Sequence, residues 1–376
     1  MNKNRMGSNK TSDLIEQSLN LVKAHYRLGD IVSASELQGG YVNKTVLINV
    51  ANCNQGSQFI IRRYNPITAN EKDIQFEHCT IKHLISNGFK VAPNVIENKY
   101  GTTYIKQNVI INDTEKVRFW AVFECLRGKV RYLFFETHLS DAEMRSAATM
   151  LARLHNAGSD FHQKYAINSS RPRIMDYLPT FPNQYQEFAQ KSTNTAFDTY
   201  LSEHRDEIFK KIDQASAVDV EFSKMPMGTI HGDYNQGNLT FQGSDVVGVF
   251  DFDWTKVDYR LFDLCQAIIY LCPCWEGEHA GSIDLEKFQT FLKAYNNTHI
   301  SESERGGLTN IEIENIPLML EIANQFVLFC IVSYFYYSEN VVKEDYLKAL
   351  KHYINIMIWL DANNSTLADV TQKTIH

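Results

Sequence analysis

The sequence lacks the features of several large protein classes. Its 376 residues include 37 Lys and Arg against 44 Asp and Glu, a net charge of −7, so the basic surface of a nucleic-acid-binding protein is not expected. The N-terminal residues contain no apolar signal core, so we expect a cytoplasmic protein. No Gly-x-Ser-x-Gly motif occurs, which argues against a serine hydrolase.

The cysteines do not indicate a disulfide framework or a zinc site. There are seven, an odd number, scattered along the chain. Cys272 and Cys274 form the one close pair, and no neighbouring His or Cys cluster completes a zinc pattern. We therefore interpret the cysteines as isolated thiols in a reducing compartment.

One long apolar stretch, 316–337, raises the question of a membrane span. Polar side chains within such a stretch are costly to insert into lipid. We therefore predict no membrane segment and interpret the stretch as a buried core helix. Its polar and helix-breaking residues are Pro317, Glu321, Asn324 and Gln325.

The N-terminal third favours β-structure. Two β-rich runs flank Gly39 and Gly40, which indicates a hairpin loop whose backbone can approach a ligand; an ordinary hairpin turn is the other interpretation. It is not a Walker loop, because no Gly-Lys-Ser/Thr follows. Apolar periodicity also predicts helices over 13–26 and 71–87 and strands over 58–64 and near 102–111 and 117–123.

Glu77 lies on the apolar face of the helix predicted over 71–87. A carboxylate on a buried face is costly unless it is paired, so a cation on the preceding strand is expected. Arg62 and Arg63 are both on that strand, but side chains alternate and only one of them can face the same way. The alternative is a solvent-reaching Glu at the edge of the apolar stripe.

After residue 128 the chain becomes mainly helical. A capping box at Ser140 and Glu143 opens a helix that His155 ends, and we expect a structural, hydrogen-bonded role for that His. Residues 160–225 are the least interpretable. Further helices are predicted over about 196–215, 261–271 and 344–360.

A pattern typical of a catalytic site occurs in the segment His231-Gly-Asp233-Tyr-Asn-Gln-Gly-Asn238. Two short strands around a Gly243-Ser turn separate it from Asp251. A hairpin there would bring Asp251 back beside Asp233 and Asn238. Protein kinases use this layout: one Asp accepts the hydroxyl proton, while an Asn and a second Asp hold Mg²⁺. A polar turn before a buried strand is the other interpretation.

Together these residues resemble the aminoglycoside phosphotransferase / choline kinase / type II homoserine kinase superfamily, over about residues 30–275. The resemblance implies an α+β, bilobal protein-kinase-like fold with a small β-rich N-lobe and a larger, mainly helical C-lobe. The N-lobe, 1–124, would hold a five-stranded antiparallel sheet with helices, and the C-lobe would span 125–376. The matching motifs are Gly39-Gly40-x-x-Asn43, Arg62, Glu77, Leu151-Ala-Arg-Leu-His155, His231-Gly-Asp233…Asn238, Asp251-Phe-Asp253 and Asp263-Leu.

The resemblance also implies an ATP site in the N-lobe. Arg62 would contact the α- and β-phosphates and pair with Glu77. Gly39, Gly40 and Asn43 would also contact the ATP phosphates. The backbone of Glu124 and Leu126 would contact the edge of the adenine ring.

In the C-lobe, the resemblance assigns the base to Asp233 and the Mg²⁺ ligands to Asn238 and Asp251. Supporting roles fall to His231, Asp253 and Asp263. Of these, Asp253 would support the metal or face the acceptor, and Asp263 would accept hydrogen bonds from the catalytic loop.

Two departures from protein kinases favour a small-molecule acceptor. No Arg separates His231 from Asp233, and Asp253 stands where an Asp-Phe-Gly motif has Gly. Only twelve residues lead from Asp251 to Asp263, which leaves no room for an activation segment. The expected activity is transfer of the ATP γ-phosphoryl group to a small-molecule hydroxyl.

The acceptor itself is left open by the sequence, among an amino alcohol, a sugar, a choline-like molecule and an aminoglycoside. Glu276 and Glu278 would suit an amine, whereas aromatic residues would suit choline-like or sugar ligands. The alternative to an enzyme is a catalytically silent nucleotide-binding relative that acts as a regulator or partner. The complete set of Asp233, Asn238 and Asp251 argues against it.

Overall fold

The structure is a computed structural model that describes residues 5–37, 42–111, 113–132, 139–218, 220, 222–302, 306–338 and 341–376, with side chains from residue 13 onward. Their contacts divide the chain into two compact units. The first comprises Met1–Ser86 and Lys90–Leu126, and the second Asn87–Phe89 and Arg127–His376. Gly39 and Gly40 lie outside the described residues.

The first unit is built on a five-stranded antiparallel sheet with strand order β1-β2-β3-β5-β4. Such a sheet needs cover for its apolar faces, and two helices are present in this unit. Its elements are α1 (Arg5–His25), β1 (Asp30–Leu37), β2 (Lys44–Ala51), β3 (Gln58–Arg63), α2 (Glu71–Ser86), β4 (Ile105–Ile111) and β5 (Thr114–Glu124).

Alternation along β3 divides its side chains between two environments. Phe59 and Ile61 belong to an apolar cluster with Leu14 and Val22 of α1. Arg62 therefore points to the opposite face, because successive side chains of a strand alternate. This places the Arg62 side chain toward α2, where Glu77 lies.

The second unit is mainly helical, with two small two-stranded sheets, β6-β9 and β7-β8. Its elements are α3 (Asp141–Gly158), α4 (Phe161–Lys164), α5 (Ile174–Tyr177), α6 (Phe181–Ala189), α7 (Ala196–Ser216), β6 (Met227–Ile230), β7 (Leu239–Gln242), β8 (Asp245–Val249), β9 (Lys256–Tyr259), α8 (Arg260–Leu271), α9 (Leu285–Glu302), α10 (Asn310–Glu314), α11 (Ile316–Tyr337) and α12 (Lys343–Ile375). The expected α+β, kinase-like fold class is confirmed.

Helices α8 and α11 form the apolar centre of this unit. All twelve residues of α8 are buried. Among the described residues, α11 alone is long and apolar enough to cross a membrane, and 83% of its most apolar window is buried inside the protein. This degree of burial is typical of a core helix, as predicted for residues 316–337.

Four predicted boundaries were wrong. Helix α1 begins at Arg5 and not at residue 13, and strand β4 begins at Ile105 and not near residue 102. Strand β5 begins at Thr114, not near 117, because Asp113 adopts a left-handed turn conformation (φ 59°) and the ladder with β4 starts directly after it. Helix α12 continues to Ile375 instead of ending near 360, through a kink at Asn363 (φ −119°). Buried Leu367 and Thr371 explain the extension, since tertiary packing can hold a helix beyond an irregular residue.

Candidate active site

The β7-β8 hairpin brings the catalytic segment and Asp251 together. Its register pairs Leu239 with Val249, and the Phe250 N–H donates to the Asn238 carbonyl at 3.1 Å. Asp251 follows at once, in the left-handed region (φ 66°), a conformation that a non-glycine residue adopts at some cost and often at functional sites. The predicted hairpin is confirmed.

Asp233 lies in the middle of this group. Asn238 Nδ2 donates to its carboxylate Oδ2 at 3.0 Å and to its carbonyl at 2.9 Å. Burial raises the pKa of Asp233 to about 7, with a further contribution from the charge of Asp251, while hydrogen bonds from Asn235, Tyr270 and Asn238 act in the opposite direction. Two neighbouring carboxylates disfavour each other's ionised form.

Asp263 holds the backbone of the catalytic loop. Its carboxylate accepts from the His231 N–H and the Gly232 N–H, each at 2.8 Å, and lies 2.9 Å from His155 Nε2. Burial opposes its charge, but the His155 and His231 interactions hold the pKa of Asp263 below its usual value. Gly232 is required here, because its φ is 76° and a Cβ would lie 2.4 Å from the Trp254 carbonyl.

The hydrogen bonds expected of Asp263 and His155 are present. His155 Nδ1 lies 2.6 Å from the Tyr295 hydroxyl, so both ring nitrogens are engaged within the core. His231 Nε2 contacts the Phe250 carbonyl at 3.0 Å, which ties the loop to the hairpin. Burial lowers the pKa of His231, and the charge of Asp253 acts in the opposite direction.

In the first unit, Glu77 has the predicted cationic partner. Arg62 Nη1 lies 3.2 Å from Glu77 Oε1, and the two side chains are 11% and 4% exposed. Arg63, on the other face, lies over the Trp120 ring.

A hydrogen-bond chain extends from this pair. The Tyr64 hydroxyl donates to Glu77 Oε2 at 2.8 Å and lies 3.1 Å from His78 Nε2, whose Nδ1 is 2.8 Å from Thr103 Oγ1. Burial, and then the Arg62 charge, lower the pKa of His78 to about 3. His78 is therefore neutral at physiological pH, and Arg62 supplies the positive charge in its contact with Glu77.

Two of the remaining predicted nucleotide contacts, Asn43 and Glu124, have structural partners of their own. Asn43 Oδ1 accepts from the Asn65 N–H at 3.1 Å, which fixes the start of β2 against the end of β3. The Glu124 N–H donates to the Asn94 carbonyl at 2.8 Å, so Glu124 would offer a ligand its carbonyl.

Several residues of these clusters were not found by sequence reasoning. Tyr270 follows Asp263 by two helical turns, so the periodicity of α8 could have placed it on the same face. Tyr64 follows Arg62 by two residues, so in an extended chain both side chains point to the same side. Strand alternation could therefore have placed Tyr64 beside Arg62. Asn235 has no comparable pattern.

The donor set fits a hard divalent cation. Asp251 offers a carboxylate, and Asn238, whose amide nitrogen is bonded to Asp233, retains its Oδ1 as an acceptor. Mg²⁺ favours oxygen ligands and takes one or two carboxylates together with substrate phosphates. Within the described ranges, no group of three or more His, Cys, Asp or Glu that could hold a metal is found, so a His- or Cys-rich centre is not indicated there.

Known proteins share this fold and this sequence pattern. The model of the phosphotransferase enzyme family (APH) matches residues 33–291. A homoserine kinase from Afipia carboxidovorans is 25% identical over 284 residues, which cover 75% of this chain and 76% of the relative. Among solved structures, a microcompartment-associated aminopropanol kinase has a TM-score of 0.61 at 16% identity, over 94% of this chain and 98% of the other. Choline kinase from Cryptosporidium parvum Iowa II has a TM-score of 0.60 at 11% identity, over 96% and 99%.

The fold and the match to the family model identify a kinase-like phosphotransferase for small molecules. The family model covers well over half of the sequence, and the chain belongs to the phosphotransferase enzyme family (APH). It is an enzyme that phosphorylates a small-molecule hydroxyl, and membership of this family implies ATP as a substrate. The resemblance identified from the sequence motifs is confirmed.

Proposed function

We propose that this enzyme transfers the γ-phosphoryl group of ATP to the hydroxyl of a small amino alcohol. The observation that carries the proposal is the buried Asp233 carboxylate, held by Asn238 beside Asp251. The acceptor class is supported by the relatives, since the kinases named for homoserine, aminopropanol and choline act on molecules with both a hydroxyl and an amine or ammonium group. Use of ATP supports a cytoplasmic location.

In this proposal, residues 1–124 bind the nucleotide and residues 125–376 hold the catalytic group and the acceptor. Arg62, kept in place by Glu77, contacts the α- and β-phosphates. Arg suits this role because its planar, permanently charged guanidinium can bind two oxygens at once. The other proposed nucleotide contacts are the Gly39 and Gly40 backbone, Asn43, the Glu124 carbonyl and the Leu126 N–H.

Asp233 is the proposed base for the acceptor hydroxyl. Its raised pKa fits a group that must accept a proton near neutral pH. Hydrogen bonds from Asn235, Tyr270 and Asn238 fix the orientation of this carboxylate. Asp263 acts through the backbone of His231 and Gly232, which sets the position of Asp233.

Asn238 and Asp251 are the residues that would hold Mg²⁺. When bound, the cation supplies charge neutralisation for the phosphate oxygens and for the carboxylates. Asp253, within electrostatic range of His231, is proposed to support this group or to face the acceptor.

The test is ADP release over a panel of hydroxyl acceptors, with Asp233→Asn as the control. We expect turnover with at least one amino alcohol and its loss in the variant. Binding of Mg-ATP without turnover on any acceptor would instead favour a silent nucleotide-binding regulator. If the turnover rate of the variant were close to that of the native enzyme, the assignment of Asp233 as the base would be rejected.

A further inference from the structure

A small cavity in the second unit lies beside the catalytic group. Its volume is about 120 Å³, and Trp254 borders it three residues after Asp251. The charge of Asp233 reaches two further lining residues, Cys330 and Tyr334, whose pKa values are raised first by burial and then in part by that charge. The full lining is Tyr177, Gln184, Glu187, Phe188, Trp254, Phe329, Cys330, Ser333, Tyr334 and Tyr337.

The size of this cavity limits what can enter it. An apolar cavity of about 150 Å³ holds a benzene molecule, and drug-sized ligands occupy roughly 300 Å³ or more. A cavity of about 120 Å³ can therefore receive a small metabolite.

Arg171 places a cation at the edge of this cavity. Its guanidinium carbon lies 4.1 Å from the centroid of the Trp254 ring. Burial raises the pKa of each of three lining residues, Tyr177, Cys330 and Tyr334, and the charge of Arg171 acts against that rise in all three.

This guanidinium is not neutralised by the described part of the protein. Among the described residues, no carboxylate lies within ion-pair distance of Arg171, and its Nε is buried without a hydrogen-bond partner. Arg173, two residues further on, is exposed and bonds to Asp176 at 3.0 Å. A guanidinium without a carboxylate partner among the described residues can bind an anionic ligand through charge-assisted hydrogen bonds.

We propose that Arg171, stacked on Trp254, binds an anionic group of the acceptor, so that the acceptor is a hydroxy amino acid that carries a carboxylate. This inference rests on the proposed function and selects among amino alcohols. The planar guanidinium matches a carboxylate with two parallel hydrogen bonds. The contact with the Trp254 ring restricts the position of the guanidinium, and the cavity that this ring borders receives the rest of the molecule.

The test compares acceptors that differ only by the carboxylate: L-homoserine with 3-aminopropan-1-ol, L-serine with ethanolamine, and L-threonine with 1-aminopropan-2-ol. We expect the native enzyme to favour one carboxylate member by about 10- to 100-fold in kcat/KM, the range of a hydrogen bond to a charged group. Arg171→Gln should abolish that preference through KM for the acceptor, with KM for ATP unchanged. Arg171→Lys should restore part of it, because a positive charge is retained.

Arg173→Gln is the matched control, and it should leave the preference intact. Lys191, which is exposed over the Tyr337 ring at 4.0 Å, provides a second control through Lys191→Gln. The inference is overturned by a native preference for the decarboxylated members, by an Arg171→Gln variant that keeps the native preference, or by a loss seen in Lys191→Gln instead.

Binding separates this inference from the proposed function. If no acceptor is phosphorylated, the proposed function fails. The rise in Tm produced by each acceptor then decides the role of Arg171: stabilisation by carboxylate members in the native protein and in Arg173→Gln, but not in Arg171→Gln, supports it. Equal or absent stabilisation in all three proteins rejects it. Circular dichroism of each variant shows whether the fold is intact.

Discussion

Two buried polar clusters of this protein differ in the sign of the charge that lies next to their central carboxylate. In the first unit, Glu77 has Arg62 at 3.2 Å and the Tyr64 hydroxyl at 2.8 Å, so its negative charge is met by a positive one. In the second unit, the charged neighbour of Asp233 is another carboxylate, that of Asp251, which raises its pKa. The first cluster pairs opposite charges, whereas the second brings two like charges together.

The contrast predicts which carboxylates support the fold and which serve the proposed chemistry. A paired carboxylate such as Glu77 should be needed for stability. Repelling carboxylates such as Asp233 and Asp251 should be dispensable for stability, because they are kept together at a cost that function explains.

The largest expected effect is on turnover, in Asp233→Asn. The variant keeps the shape of the side chain but cannot accept the proton, so kcat should fall by about 10²- to 10⁴-fold. ADP release with the best acceptor measures this. Thermal unfolding is the control, and Asp233→Asn should be at least as stable as the native protein, since it removes a buried repulsion. A clear loss of stability would contradict the contrast.

Glu77→Gln should have the opposite effect on stability. It breaks the buried ion pair between Arg62 and Glu77, and breaking a buried pair costs about 3–5 kcal/mol. Urea unfolding measures the change, and KM for ATP should rise as well. The matched control is Glu97→Gln, which breaks an exposed pair with Lys82 and should change little. Equal effects of the two substitutions would show that burial of the Arg62–Glu77 pair is not decisive.

Buried histidines should make the fold sensitive to acid. Burial is the main cause that lowers the pKa of His78 to about 3, of His299 to about 2 and of His352 to about 3. The unfolded chain protonates its histidines near pH 6.5, so below that pH it binds more protons than the folded state. Stability should therefore fall as pH drops from 6.5 toward 3, by about 1.4 kcal/mol per pH unit for each such His.

Urea unfolding at pH 7 and pH 5.5 checks this dependence, and His299→Phe should make it less steep. Both ring nitrogens of His299 are buried without hydrogen-bond partners among the described residues, so the substitution sacrifices no observed bond. An unchanged pH dependence in His299→Phe would show that this histidine does not contribute.

The smallest effect is expected for the stability of Asp251→Asn. Asn tolerates the left-handed conformation of residue 251, so the substitution removes charge without straining the backbone. Without metal, the stability of the protein should change little or rise slightly, because Asn removes the negative charge that acts on Asp233. The Tm rise that Mg²⁺ and ATP produce in the native protein should shrink. A loss of stability in Asp251→Asn would show that Asp251, like Glu77, is needed for the stability of the fold.

Local spacing made the core of the site predictable. Two short β-runs and a Gly243 turn separate Asn238 from Asp251, so the hairpin that joins them could be inferred from the sequence. Likewise, Glu77 on an apolar helix face required a cation, and strand alternation limited the choice to Arg62 or Arg63. The structure selected Arg62.

Contacts between distant segments were not predictable in this way. Arg171 lies in a stretch without clear periodicity, and its contact with Trp254 spans 83 positions of the chain. No repeat or motif links the two. The cavity likewise draws its lining from α5, α6, α11 and the loop after Asp251.

The sequence by itself determined the class of chemistry, because the Asp233–Asn238 spacing and the following hairpin are local and carry the phosphotransferase pattern. Tertiary structure decided which of Arg62 and Arg63 meets Glu77, and it alone decided what surrounds Arg171. Compensation depends on what packs around a side chain: Glu77 meets Arg62 and Tyr64, Asp233 meets Asp251, and Arg171 meets an aromatic ring and a small cavity. The charge balance of a buried side chain depends on its neighbours in space. Those of Arg171 come from segments that no sequence periodicity connects.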